Sequence, residues 1–159
     1  MLSTASPSAL HSGIVTARFV ATCEFYFEHF GFAPIEISGE FALLGRADGS
    51  RLAVLQAGGD GQPAALSQST RGAGVWLAFE SDDVDALHAH LASRGAEIVC
   101  DPETTLSGRR RCVVRDPNGV LVYVTSRHEA APVSPPPSTN SKTHPHEDHR
   151  YRLRWLSCH

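Results

Sequence analysis

The alternation of apolar and polar positions along the chain describes the same order of elements twice. Each pass predicts one strand, one helix and three further short strands, because period-two alternation marks strands and spacings of three and four mark helices. The first pass predicts elements at residues 13–16, 19–30, 33–38, 41–46 and 51–57. The second pass predicts elements at residues 75–80, 83–94, 97–100, 109–115 and 120–125. Gly31 and Gly95 follow the two helices, which is typical of helix C-termini, and Ser81 or Asp82 can cap the second helix at its start.

A repeated unit of this kind cannot bury its apolar face alone, but two copies side by side can form a curved sheet with helices outside. The predicted fold is therefore α+β: two tandem βαβββ modules, at about 10–58 and 74–127, forming a curved, cleft-containing mixed sheet in one domain over residues 10–128. From residue 129 to residue 159 the chain becomes rich in Pro, Ser and His, and we interpret this segment as a flexible tail.

The composition is that of one globular domain, since 159 residues with 42% apolar content suffice for a sizeable core. No run of about 18 apolar residues occurs, so we expect no membrane-spanning helix. The opening MLSTASPSALHSG lacks the basic and apolar regions of a signal peptide, and this predicts a cytoplasmic protein. A net charge of −3, without a basic and aromatic stripe, argues against a nucleic-acid partner.

The last predicted hairpin raises the question of function. In RCVVRDPNGVLVYVT, Asn118-Gly119 predicts a tight turn between two strands. Tyr123 is out of phase with Val122 and Val124, so it faces the opposite side of the sheet. The surface that Tyr123 faces is therefore a candidate site.

The order of elements, with EFYFEHFGF early and RCVVRDPNGVLVYV late, resembles the vicinal oxygen chelate superfamily. That superfamily includes glyoxalase I, extradiol dioxygenases, fosfomycin-resistance enzymes and bleomycin-resistance proteins. The strand RLAVLQ, the stretch GVWLAFES and the segment SGRRRCVVRDPNG carry the rest of the likeness, over about residues 10–127. Each piece is weak by itself, whereas the ordered set is fairly specific.

The resemblance also implies where a metal ion would be held. In the metal-dependent members, four side chains on four inner strands, typically two His and two Glu, hold one divalent ion. Carried onto this chain, those positions are His11, Val54, Val75 and Tyr123. Valine cannot coordinate, and a neutral tyrosine with an unperturbed pKa of about 10 is a poor ligand. The expectation is therefore a member without a metal or other cofactor.

Without charged ligands, the inner face would be mostly apolar with a few polar tips, as in pockets for planar or amphipathic molecules. The candidate ligand-binding residues are Val54, Gln56, Val75, Leu77, Tyr123 and Arg111. Arg111 is either a cation at the rim or a solvated strand residue, and Trp76 is expected to pack beneath a helix. A cleft that is simply filled by its own side chains is the structural alternative.

The leading hypothesis is a non-metal protein that sequesters an aromatic or amphipathic small molecule, as bleomycin-resistance proteins do. The alternative is a metal-dependent lyase, isomerase or dioxygenase of the same superfamily that uses His11 as a weak catalytic candidate. The pattern leaves enzyme activity uncertain and favours binding. A third hypothesis is that the fold serves assembly alone. The resemblance also implies a homodimer, which exposed strand edges make plausible.

Overall fold

Each half of the chain folds into the strand, helix and three strands that the sequence predicts. The computed structural model describes residues 10–127. The first half contains β1 (Ser12–Thr16), α1 (Phe19–Phe30), β2 (Ala33–Ser38), β3 (Phe41–Gly45) and β4 (Arg51–Gln56). The second half contains β5 (Trp76–Ser81), α2 (Val84–Ser93), β6 (Glu97–Thr104), β7 (Arg110–Arg115) and β8 (Leu121–Ser126). The tail predicted at 129–159 lies outside the described residues.

The strands form two four-stranded mixed sheets, one in each module. Their orders are β1-β4-β3-β2 and β5-β8-β7-β6. In each sheet the first strand pairs in parallel with the last, and the other neighbours pair in antiparallel fashion. The α+β class and the two tandem βαβββ modules are confirmed, with the strands divided between two sheets rather than joined in one.

The helix ends follow local chemistry. The helix α1 ends at Gly31, whose φ of 67° is easily adopted by a residue without a side chain, and its N–H bonds to the Tyr26 carbonyl. The helix α2 begins after Asp83, whose carboxylate accepts a hydrogen bond of 2.9 Å from the Ala86 amide. The sequence-based choice of Ser81 or Asp82 for this cap was wrong, because only the residue directly before the first helical turn reaches that amide. No helix within residues 10–127 has the length and apolar content needed to cross a bilayer.

One continuous core lies between the helices and one face of each sheet. Register places Val54 of β4 beside Ile14 of β1 and Ala42 of β3, and all three side chains are buried. The ring of Phe30 on α1 stacks on Phe79 of β5 with 4.6 Å between centroids. The first helix therefore packs against strands of both modules. Burial of one large apolar side chain stabilises a fold by about 1.5–3 kcal/mol.

A buried polar cluster joins α1 to the turn between β7 and β8. The hydroxyl of Tyr26 donates to the Asp116 carboxylate at 3.2 Å, and burial together with that carboxylate raises the pKa of Tyr26. The same carboxylate accepts from the backbone amides of Asn118 and Val120, both at 2.8 Å. The Asn118 side chain in turn donates to the Thr22 hydroxyl at 2.9 Å. The turn that leads into β8 is therefore fixed against the first helix.

Candidate functional site

The second sheet has one face that points away from the core. In β8, Val122 and Val124 are fully buried against the core, so Tyr123 between them points to the opposite side. Register carries this side across the sheet, because Tyr123 lies beside Ala78 of β5 and Val113 of β7. We call this surface the open face. It comprises Trp76, Ala78, Glu80, Arg111, Val113, Leu121, Tyr123 and Thr125, with Arg109, which directly precedes β7. Val113 is the buried member of this set.

Two aromatic rings lie next to each other on the open face. The rings of Trp76 and Tyr123 meet edge to face, with 5.3 Å between centroids and an interplanar angle of 63°. Trp76 is 55% exposed, which is unusual for the largest apolar side chain. Contacts of this geometry contribute about 0.5–1.5 kcal/mol beyond the area they bury. The pair therefore forms an aromatic surface that is partly exposed on the open face.

A polar cluster lies beyond the aromatic pair. Arg109 donates from Nη2 to the Thr125 hydroxyl at 3.1 Å and to the Ser126 carbonyl at 2.7 Å. The same nitrogen is 3.5 Å from a carboxylate oxygen of Glu80. The Nε–H of Arg109 is buried and has no acceptor among the described residues. A buried donor without an acceptor costs about 1–3 kcal/mol, so this guanidinium is incompletely satisfied by the residues around it.

Arg111 also lies on the open face, nearer to the sheet edge. Its Nε and Nη2 atoms both donate to one oxygen of Glu103, at 2.9 and 2.6 Å. The Arg111 side chain is 21% exposed and Glu103 lies beside it on β6. The positive charge that the sequence placed at the rim is therefore already paired within the sheet.

The corresponding face of the first sheet carries no charged side chain in the centre of β1, β3 and β4 among the described residues. Register aligns Gly13, Ala53 and Leu43 on this face, and it aligns Val15, Leu55 and Phe41 in the next row. The apolar side chains in these rows are half-buried. The first module therefore contributes an apolar surface and no coordinating group at these positions.

Several predicted ligand-binding residues lie elsewhere. Val54 is completely buried in the core beneath α1, and Leu77 pairs with Val122 and packs against the core. Their assignment to the inner face was therefore wrong. Gln56 is the last residue of β4, and Val75 is an exposed residue directly before β5.

The error has a simple physical cause. Alternation along a strand fixes which residues share a side, whereas the packed helix decides which side becomes the core, and a shift of one residue exchanges the two. Trp76 was expected beneath a helix for the same reason and is instead exposed beside Tyr123. The sequence did not single out Arg109, because the side chains of Arg109, Arg110 and Arg111 alternate between the two faces of the strand and do not form one basic patch. The signal that could have identified Arg109 is that it shares a face with Arg111.

His11 directly precedes β1 and is exposed, and no described side chain hydrogen-bonds to it. Among residues 10–127, no three His, Cys, Asp or Glu side chains come together as a group that could hold a metal ion. The residues that flank the two valines, Ala53 and Leu55 on the corresponding face of the first sheet and Trp76 on the open face, are not metal donors either. The residues present therefore do not fit the four-ligand divalent site that the resemblance describes.

The family model described as the Glyoxalase/Bleomycin resistance protein/Dioxygenase superfamily matches residues 8–124. The chain belongs to this superfamily. The resemblance inferred from the motifs is thereby confirmed, and the match spans both modules of the glyoxalase-like fold.

Solved structures of glyoxalase-like proteins share the fold. A glyoxalase/bleomycin resistance protein/dioxygenase from Nocardioides is 23% identical, with a TM-score of 0.65, and the match covers 81% of this chain and 89% of that chain. A glyoxalase/bleomycin resistance protein/dioxygenase family enzyme from Burkholderia phytofirmans PsJN is 27% identical, with a TM-score of 0.62 and coverage of 73% and 95%. A glyoxalase-related enzyme from Fulvimarina pelagi is 20% identical, with a TM-score of 0.64 and coverage of 76% and 89%. No curated protein matches the sequence.

Proposed function

We propose that this protein binds a small aromatic or amphipathic compound on the open face, without a metal ion, and holds it without transforming it. The observation that carries the proposal is the contact between the exposed ring of Trp76 and the half-buried ring of Tyr123. Tyr123 occupies a position where metal-dependent relatives are expected to hold a ligand to the ion, so an aromatic surface replaces a coordinating carboxylate there. Apolar walls with a few oriented polar groups are typical of small-molecule sites.

The chemistry of the surrounding groups favours binding over catalysis. A general acid or base needs an ionisable side chain within hydrogen-bond reach of the reacting group and, as a rule, a partner that orients it. The one histidine near the start of β1, His11, has no such partner among the described side chains. Of the charged groups on the open face, Arg109 and Glu80 lie 3.5 Å apart and suit the binding of a polar group, whereas Arg111 is already paired with Glu103.

The proposal retains a homodimer in the cytoplasm. The support for a second copy comes from β2, an edge strand whose residues Ile35 and Ile37 are both more than half exposed. Edge strands with exposed apolar side chains are surfaces on which another chain can pair. Because β2 belongs to the first sheet, a partner strand added at this edge would not displace a strand of the second sheet, which carries the open face.

Calorimetric titration of the full chain with indole, a neutral aromatic probe, tests the proposal. Wild-type protein should bind indole saturably, and Trp76→Ala should weaken that binding by about tenfold, because one stacking surface is lost. Val20→Ala, which removes an exposed apolar side chain on α1, is the matched control and should bind as wild type. Equal indole affinity in wild type and Trp76→Ala would refute binding at the aromatic pair.

A further inference from the structure

The polar end of the open face indicates the chemical class of the ligand. We propose that the ligand is an aromatic carboxylate, whose ring lies on Trp76 and Tyr123 while its carboxylate accepts hydrogen bonds from Arg109. This inference rests on the proposed function, since it places the ligand on the same face. It goes further, because it names a charge on the ligand and the residue that binds this charged group.

Arg109 is held in place by hydrogen bonds that use only some of its N–H donors. A guanidinium group has five N–H donors, and within residues 10–127 the side-chain hydrogen bonds of Arg109 leave from Nη2. The Nε–H is buried and has no acceptor among residues 10–127, while 36% of the side chain remains exposed. Thr125 and the Ser126 carbonyl occupy Nη2, and the buried Nε–H is out of a ligand's reach. The donors left for a ligand are therefore the two N–H groups of Nη1, which bond to no described residue. A carboxylate that accepts from Nη1 would gain a charge-assisted hydrogen bond, which is roughly twice as strong as one between neutral groups.

The neighbouring arginines are less suited to this role. Arg110 makes two hydrogen bonds to Asp85, at 2.9 and 2.7 Å, and Asp85 belongs to α2 on the core side of the sheet. Arg111 directs both Nε and Nη2 to a single oxygen of Glu103. Each of these guanidinium groups thus has a carboxylate partner at close hydrogen-bond distance. Arg109 differs because its carboxylate neighbour, Glu80, is at 3.5 Å.

Glu80 bears on the sign of the charge that the site accepts. Its side chain is 54% exposed, and an ion pair of this length between solvated groups is weak. Glu80 can therefore steady the guanidinium without neutralising it as a closer pair would. If Glu80 were the dominant group, the site would prefer a cation, so an amine probe is a necessary arm of the test.

Strand geometry sets the separation of ring and charge. Tyr123 and Thr125 lie on the same face two residues apart, which is about 7 Å along a strand. A ring seated at Tyr123 thus places a carboxylate beside Arg109 when a short linker of one or two carbons joins them. Arylacetates have this length, and we choose indole-3-acetate as the probe.

The test compares three probes that share one ring and differ in charge: indole-3-acetate, indole-3-acetamide and tryptamine. Calorimetry on the full wild-type chain should give an affinity for the acetate at least about tenfold higher than for the amide. In Arg109→Gln this preference should disappear while amide affinity stays within about twofold. Arg110→Gln is the matched control, since Arg110 pairs with Asp85 on the core side of the sheet, and it should keep the preference.

Each outcome decides between the two proposals. If neither the acetate nor the amide binds, binding of aromatic compounds at the open face is wrong and this inference falls with it. If both bind equally, or if tryptamine binds best, aromatic binding stands and the carboxylate assignment is overturned. Should Arg109→Gln fail to fold, Arg109→Lys and the salt dependence of the wild-type preference decide. A preference that added salt does not reduce would contradict recognition by charge.

Discussion

The Tyr26 hydroxyl lies 3.2 Å from the carboxylate of Asp116 and donates a hydrogen bond to it inside the core. The contact connects a helix of the first module with the turn that leads into the last strand of the second. Tyr26 is fully buried and Asp116 is nearly so. The position of Tyr123, seven residues beyond Asp116, therefore depends on a bond made by the other module.

Removing this bond should destabilise the fold. Tyr26→Phe keeps the ring packing and leaves one oxygen of Asp116 with fewer donors, so we expect a loss of about 1–2 kcal/mol in the free energy of unfolding. Asp116→Ala should cost more, because the amides of Asn118 and Val120 also lose their acceptor. Urea denaturation measures both. Tyr123→Phe, in which the hydroxyl has no described hydrogen-bond partner, is the control and should change stability by less than about 0.5 kcal/mol.

Substitutions at two adjacent residues of β5 test which face of this strand packs against the core. Leu77 packs against the core, so Leu77→Ala should lower the free energy of unfolding by about 2 kcal/mol or more. Trp76 is largely exposed, and Trp76→Ala should cost less than about 1 kcal/mol. Urea denaturation of the two variants gives the answer directly. The reverse order of costs would mean that the faces have been assigned the wrong way round.

His29 should make the fold sensitive to acid. Burial is the main cause that lowers the pKa of His29, opposed by Glu28 and reinforced by His90 and Arg94. A histidine with a lowered pKa binds fewer protons in the folded state than in the unfolded chain, so stability is lost as the pH falls below about 6.5. His29→Phe retains the ring against Phe25 and should reduce the loss between about pH 7 and about pH 5.5.

Denaturation of wild type and His29→Phe at both pH values measures this difference. His11→Ala, at an exposed position, is the control and should leave the pH dependence unchanged. An identical acid sensitivity in wild type and His29→Phe would remove His29 from the explanation.

Cys112 should resist alkylation in the folded protein. Its thiol is fully buried, and burial raises its pKa to about 11, so the reactive thiolate is scarce near neutral pH. Iodoacetamide followed by mass spectrometry of the Cys112 peptide should show little modification in native protein and complete modification in urea. Rapid labelling in native buffer would show that the strand β7 opens readily.

The sequence predicts the elements well and the site only in part. Helix periodicity, alternation and the Gly31 and Gly119 turns are local, so the order of elements follows from residues close in the chain. The face of a strand is a tertiary property. The sequence pattern around Val54 is the same whether this side chain lines a cleft or packs beneath α1. Only the contact with the helix decides which face of the strand is buried in the core. Tyr123 could be placed because fully apolar neighbours on both sides left it a single direction.

The polar end of the site could not be predicted from the sequence, for a related reason. Arg109, Glu80 and Thr125 are far apart in sequence and meet only through the parallel pairing of β5 with β8 and the reach of a long side chain from the start of β7. A motif shows the spacing of residues within one strand, whereas this cluster depends on the register between three strands.

The central claim is that aromatic binding on the open face needs no metal ion. The most direct measurement is the indole dissociation constant of the full chain, determined by calorimetry before and after exhaustive chelator treatment. We expect saturable binding with the same dissociation constant in both samples. Binding that vanishes on chelation and returns when a divalent ion is added would contradict it and would require a metal-dependent site in its place.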